Sequence, residues 1–155
     1  MGGPEHLRCQ VQILVPFHDV DMMSIVWHGH YVKYFEIARC ALLEKFDYDY
    51  RQMKASGYAW PVVDMRIRYP GPAHFGETIT VTAAISEWEN RLKIDYEVRN
   101  PAGQRITRGY TVQVAVDMAS GEMCFESPPI LFEKLGLRNI GLRNIDLQNN
   151  GPCED

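Results

Sequence analysis

The sequence has no uninterrupted apolar run approaching the ~18 residues that a membrane helix needs. It also has no basic excess: 20 acidic residues oppose 16 lysines and arginines, leaving a net charge of −4. Nucleic-acid surfaces carry a basic stripe, so nucleic acid is set aside as a partner. The four cysteines (Cys9, Cys40, Cys124, Cys153) are scattered, with no C-x-x-C pair and no Cys/His ligand spacing. Free thiols in a reducing cytoplasm are expected, rather than a disulfide framework or a zinc centre. The start, Met1-Gly2-Gly3-Pro4-Glu5-His6, has no apolar core of the signal-peptide kind. G-x-S-x-G, S-x-x-K, G-x-G-x-x-G and G-K-[ST] are all missing, which removes the common serine nucleophiles and phosphate-cradling loops.

What is present fits one α+β domain. With 155 residues and 46% apolar content, the chain can bury a substantial core. Gln10–Val15 alternates polar and apolar residues and reads as a strand stopped at Pro16. From about His30 to Phe46, Tyr31, Tyr34, Phe35, Ala38, Leu42 and Phe46 recur at helical spacing, with Lys33, Glu36, Arg39 and Glu44 for the polar side. A shorter helix is expected within residues 48–56, closed by Gly57. The period then changes to two over Tyr58–Tyr69, Thr78–Trp88, Lys93–Arg99 and Arg105–Asp117, segments separated by turn-forming residues. Five consecutive strands with tight turns and one long helix predict an antiparallel sheet wrapped on that helix. The domain is expected to span residues 1–135, with one or two helical turns within Ile130–Leu135. A tail follows over 136–155, opening with the tandem Gly-Leu-Arg-Asn-Ile pentapeptide.

The chemistry concentrates in Phe17–Tyr31, where Asp19, Asp21, His18, His28 and His30 crowd ahead of the long helix. A helix start offers free N–H groups and a positive dipole end, both suited to a developing negative charge. Asp21 is the leading reactive group, because Met22, Met23, Ile25, Val26 and Trp27 can reduce the hydration of its carboxylate, although on spacing alone a solvated loop carboxylate or a capping residue is the commoner role. Asp19 either pairs with it or holds the loop through backbone hydrogen bonds. Gly29 allows close approach to the backbone, and His28 offers its ring or its N–H to a carbonyl oxygen. Asp19, Asp21, His28 and His30 are also possible metal ligands, but histidines at i and i+2 do not share a helix face, so no metal or other cofactor is expected.

The block Asp19-x-Asp21, Ile25-Val26-Trp27-His28, Tyr31 and Tyr34-Phe35-Glu36-x-Ala38-Arg39 resembles the hotdog-fold acyl-CoA thioesterases, in the 4-hydroxybenzoyl-CoA thioesterase and YbgC-like branch. Weaker matches follow in order at Trp60-Pro61-Val62-Val63, Tyr69-x-x-Pro72-Ala73 and Gly76-Glu77, so the resemblance covers about residues 10–132. It implies a five-stranded antiparallel sheet around one helix, in homodimers or homotetramers with active sites between subunits. It further implies hydrolysis of an acyl-CoA substrate, with Asp21 as nucleophile or general base. His28 and Gly29 would supply the oxyanion site at the helix start, with His28 itself implicated. Phe17 stands where the branch has a tyrosine, and Met22-Met23-Ser24 replaces the small residues usual after the aspartate. An acyl-ACP thioesterase and a non-catalytic acyl-CoA-binding module are the alternatives. Arg66, Arg68, Arg91, Lys93, Arg105 and Arg108 could each meet a phosphate, though solvated charge is the commoner role. Trp27, Tyr58, Trp60 and Phe75 suit either an acyl pocket or the core.

Overall fold

A computed structural model describes residues 4–137. Residues 138–155, with most of the expected tail and Cys153, lie outside them. The described chain runs β1 (Arg8–Leu14), α1 (Tyr31–Lys45), α2 (Tyr50–Ala55), β2 (Tyr58–Ala59), β3 (Val62–Arg68), β4 (Thr78–Glu87), β5 (Leu92–Arg99), β6 (Arg105–Gln113), β7 (Val116–Asp117) and α3 (Pro129–Leu135). Five strands form one antiparallel sheet in the order β1-β4-β5-β6-β3. This is the hotdog arrangement of one long helix held by a five-stranded sheet.

Two expected strands are each broken. Trp60-Pro61 separates β2 from β3, and Val114-Ala115 separates β6 from β7, so β2 and β7 leave the main sheet and pair with each other. Proline 61 has no N–H to give a ladder, which explains the first break. Trp60 also turns inward at the break: its indole N–H donates to the Tyr48 hydroxyl at 3.2 Å, and its carbonyl accepts from the Gln113 amide at 2.8 Å. The short helix α2 is fixed by a reciprocal cap between Asp49 and Gln52.

The core follows from the two periodicities. Along β5, Leu92, Ile94, Tyr96 and Val98 are buried while Lys93, Asp95 and Glu97 lie on the other face. Helix α1 answers with Tyr31, Tyr34, Phe35, Ala38, Leu42 and Leu43. Helix meets sheet at Phe35, whose ring stacks on Tyr96 with centroids 4.4 Å apart and planes 4° from parallel. Gly109 of β6 makes room for it, since a Cβ there would stand 2.9 Å from the Phe35 ring and 2.3 Å from the Arg66 carbonyl oxygen. At the other end, α3 buries Leu131, Phe132 and Leu135 and stops at Gly136, whose φ of 67° suits glycine.

The two outer strands differ. β1 alternates in exposure, whereas six of the seven β3 residues are exposed, including Val62, Val63 and Met65. Among the described residues nothing pairs with the free edge of β3.

Gly109→Ala is expected to destabilise the fold by about 1–3 kcal/mol, because the added methyl is forced against backbone as well as a ring. Thermal unfolding measures it, and an unchanged midpoint would show that the helix–sheet spacing is not fixed here.

Candidate active site

The 16–30 segment is a ribbon stapled along its length. A single helical turn, Phe17–Asp19, follows Pro16, and the chain then doubles back through a bridge between Val20 and Val26. At its tip the Asp21 N–H donates to the Ile25 carbonyl at 2.9 Å and the Ser24 N–H to the Asp21 carbonyl at 3.0 Å. Ser24 takes a φ of 60°, a left-handed conformation that costs a non-glycine residue energy and is held here by these bonds. One side of the ribbon is sewn to the 73–75 segment, through Val26 N–H to the Ala73 carbonyl at 2.9 Å and Phe75 N–H to the Ser24 carbonyl at 3.0 Å.

The two aspartates have opposite environments. Asp19 has 1% of its side chain exposed. It is held by side chains of α1 rather than by the backbone N–H groups anticipated from its place in a loop. One carboxylate oxygen accepts from the Lys33 ammonium at 2.6 Å and the other from the Tyr34 hydroxyl at 2.6 Å. His18 Nε2 and His30 Nδ1 stand 3.6 Å and 3.9 Å from it, beyond hydrogen-bond distance. The Asp19 carbonyl also accepts from the Trp27 N–H at 3.0 Å, so this residue ties both arms of the ribbon to the helix. Burial pushes the Asp19 carboxyl up, but the Lys33 and Tyr34 hydrogen bonds and the nearby positive charge outweigh it and hold it below the usual carboxylate range. Tyr34 moves the other way, raised by burial and by the carboxylate it serves.

Asp21 is exposed, which agrees with a solvated loop carboxylate and not with a poorly hydrated one. Its apolar neighbours do not cover it: Met22 and Met23 themselves project into solvent. One oxygen accepts from the Met23 N–H at 2.8 Å, an Asx-type turn that orients the group. The other has no hydrogen-bond partner among the described residues.

The helix start is a single 3-10 turn, His28–His30, leading into α1. Neither the His28 nor the Gly29 N–H finds an acceptor among the described residues, leaving two donors at the positive end of a 15-residue helix. The space beside Gly29 is taken by the Trp27 ring, which a Cβ would meet at 2.1 Å. Trp27 packs on the rings of His28 and His30, at 4.8 Å and 5.3 Å between centroids. His28 is exposed, its ring edge-on to Tyr69, and the Tyr69 hydroxyl donates to the His28 carbonyl at 2.9 Å. Asp21 thus occupies the tip of the ribbon and His28-Gly29 its base, with no hydrogen bond joining them.

Of the aromatic residues with two possible uses, Trp60 is core, while Trp27 and Phe75 are about half exposed. Phe75 meets Phe17 edge-on at 5.7 Å, and both rings are exposed, as are Met22 and Met23 beside Asp21 in the chain. Sequence reasoning missed Lys33 and Tyr34 as partners of Asp19 and Tyr69 as the brace of His28. No local pattern signals them, because each contact spans 14 or more positions.

A family profile described as the thioesterase-like superfamily matches residues 15–135. The chain is 32% identical over 124 residues to YneP of Bacillus subtilis, provisionally named an acyl-CoA thioesterase, covering 79% of this chain and 86% of that protein. It is 28% identical over 111 residues to the long-chain acyl-CoA thioesterase FadM of Escherichia coli, covering 70% and 83%. The solved DHNA-CoA thioesterase of Staphylococcus aureus superposes with a TM-score of 0.73 at 20% identity, over 94% of this chain and 97% of that one. At that identity the likeness speaks for the fold alone.

Asp19→Asn is expected to loosen the ribbon and remove an acid-sensitive contribution to stability. Because the folded carboxyl sits below its unfolded value of about 4, its stabilisation is complete above that value and disappears as pH falls through the folded one. Urea unfolding followed from about pH 6 to about pH 3 should therefore show a shallower loss of stability in the variant than in the parent. Parallel curves would mean that Asp19 contributes nothing pH-dependent.

Proposed function

The chain belongs to the thioesterase-like superfamily, and on that footing we propose that it hydrolyses an acyl-CoA thioester to the free carboxylic acid and CoA. Asp21 is the reacting carboxylate. The observation that carries the reading is its unbonded oxygen on an exposed, turn-fixed side chain, on the same ribbon as a helix start with two N–H donors left free.

As general base, Asp21 takes a proton from water as the water oxygen bonds to the thioester carbonyl carbon. The His28 and Gly29 N–H groups receive the resulting oxyanion. Collapse breaks the carbon–sulfur bond, and the departing thiolate recovers the proton from Asp21. As nucleophile, Asp21 bonds to the same carbon and expels the thiolate, and water then cleaves the mixed anhydride. In a single turnover in 18O-water, label in the Asp21 carboxylate identifies the second route with water attacking the Asp21 carbon of the anhydride, since the general-base route labels only the product acid.

The proposed assembly is a homodimer or homotetramer with active sites between subunits, in the cytoplasm. The edge of β3, unpaired among the described residues, supports the pairing, because such an edge is a template for another strand. The exposed side chains of Phe17, Phe75, Met22 and Met23 support a site completed by a second copy. For the location, Cys9, Cys40 and Cys124 are free thiols, and no helix among the described residues is long and apolar enough to cross a membrane.

Asp21→Asn should lower kcat on acyl-CoA by about 10²–10⁴-fold with the fold retained; turnover near the parent's would end the assignment of Asp21. His28→Ala should cost less than about tenfold if the N–H rather than the ring is the donor. Thiol release from acyl-ACP alone would reassign the carrier, and saturable acyl-CoA binding without release would make the protein a binding module. Val63→Lys combined with Met65→Lys is expected to yield monomers in sedimentation with turnover lost, whereas an active oligomer would place the interface elsewhere.

A further inference from the structure

On the sheet face turned away from α1, strand register gathers four arginines. Arg66 lies opposite Tyr110 and Arg68 opposite Arg108 across the β3–β6 ladder, and Arg105 opens β6. Tyr110 and Arg108 face Asp95 and Glu97 of β5 in turn. Since Tyr96 between them points into the core, the pleat sends Asp95 and Glu97 to the outer face. These residues line a depression of about 360 Å³.

The charge in this depression is unbalanced. None of the ion pairs among the described residues uses Arg66, Arg68, Arg105 or Arg108. Glu97 is taken by Arg99 at 2.7 Å, and Asp95 forms no ion pair. Lys93 adds a further ammonium, 4.6 Å from the centre of the Tyr110 ring. Four guanidiniums without carboxylate partners repel one another, and they do so in a chain whose net charge is −4. A polyanion relieves that repulsion, and planar guanidinium forks suit phosphate oxygens best. By contrast, Arg91 in the β4–β5 turn is engaged twice by Glu87, at 2.7 Å and 3.1 Å.

The chain links one end of the depression to the candidate active site. Arg68 is followed directly by Tyr69, the residue that braces His28, and the Gly71 N–H donates to the carbonyl of Ile106, next to Arg105, at 3.0 Å. The arm of an acyl-CoA separates the thioester from its phosphates, so the phosphates must be gripped away from the reacting carboxylate. We propose that Arg66, Arg68, Arg105 and Arg108 form the binding site for the phosphates of the CoA half of the substrate, an inference that rests on the thioesterase reading.

The test compares an acyl-CoA with the same acyl group on pantetheine, which has no phosphate, in the parent and in a variant carrying Arg68→Gln, Arg105→Gln and Arg108→Gln. These side chains are exposed, so the variant is expected to fold, and circular dichroism checks it. The ratio of kcat/KM for acyl-CoA over acyl-pantetheine should fall about tenfold or more, carried by KM. An unchanged ratio overturns the proposal. If the parent cleaves neither thioester, the thioesterase reading itself has failed, and calorimetry with CoA still decides the site: weaker binding by the variant supports it, equal binding overturns it. ATP serves as the free-nucleotide probe. ATP binding lost in the variant with an unchanged ratio overturns the CoA assignment in favour of a separate nucleotide site.

Discussion

A carboxylate withdrawn from water must be paired, and the pairing of Asp19 governs where the functional ribbon runs. Its two oxygens meet Lys33 and Tyr34 on the first turn of α1, and its carbonyl takes the Trp27 N–H. The helix thereby holds both arms of a segment that has little regular structure of its own. Removing Lys33 would leave the Asp19 charge buried without its counter-charge, which is costlier than losing a surface ion pair. The tip carrying Asp21 and the base carrying His28 inherit their positions from this anchor.

Rigidity and openness are divided between the two ends of that ribbon. Behind it, Phe35 clasps Tyr96 and Gly109, so α1 cannot shift along the sheet without steric conflict. In front, Asp21, Met22, Met23 and the β3 edge are left uncovered. A protein that leaves Phe17, Met22, Met23 and Phe75 exposed, and one strand edge unpaired among the described residues, has surfaces shaped for contact. The proposed subunit pairing and substrate both draw on them.

Much of the fold was legible in the residues. The helical period of Tyr31–Lys45 and the alternation of β5 report burial directly, because side-chain direction follows backbone period. The breaks at Trp60-Pro61 and at Val114-Ala115 were less so. The second depends on which strand finds an edge to pair with, a non-local matter. That the Trp27 ring packs beside Gly29 was not legible in the residues either. Arg66 and Arg68 could be placed on one strand face, whereas their company with Arg105 and Arg108 required the β3–β6 register.

By itself the sequence determined the element types, the clustering of acids and histidines ahead of a helix, and the resemblance to hotdog thioesterases. All of these are carried by neighbours in the chain or by local periodicity. Only the tertiary structure decided that Asp19 is the buried anchor and Asp21 the exposed carboxylate. Two aspartates separated by one residue have the same intrinsic chemistry. What distinguishes them is which one meets Lys33 and Tyr34, and that contact exists only once the ribbon folds back on the helix.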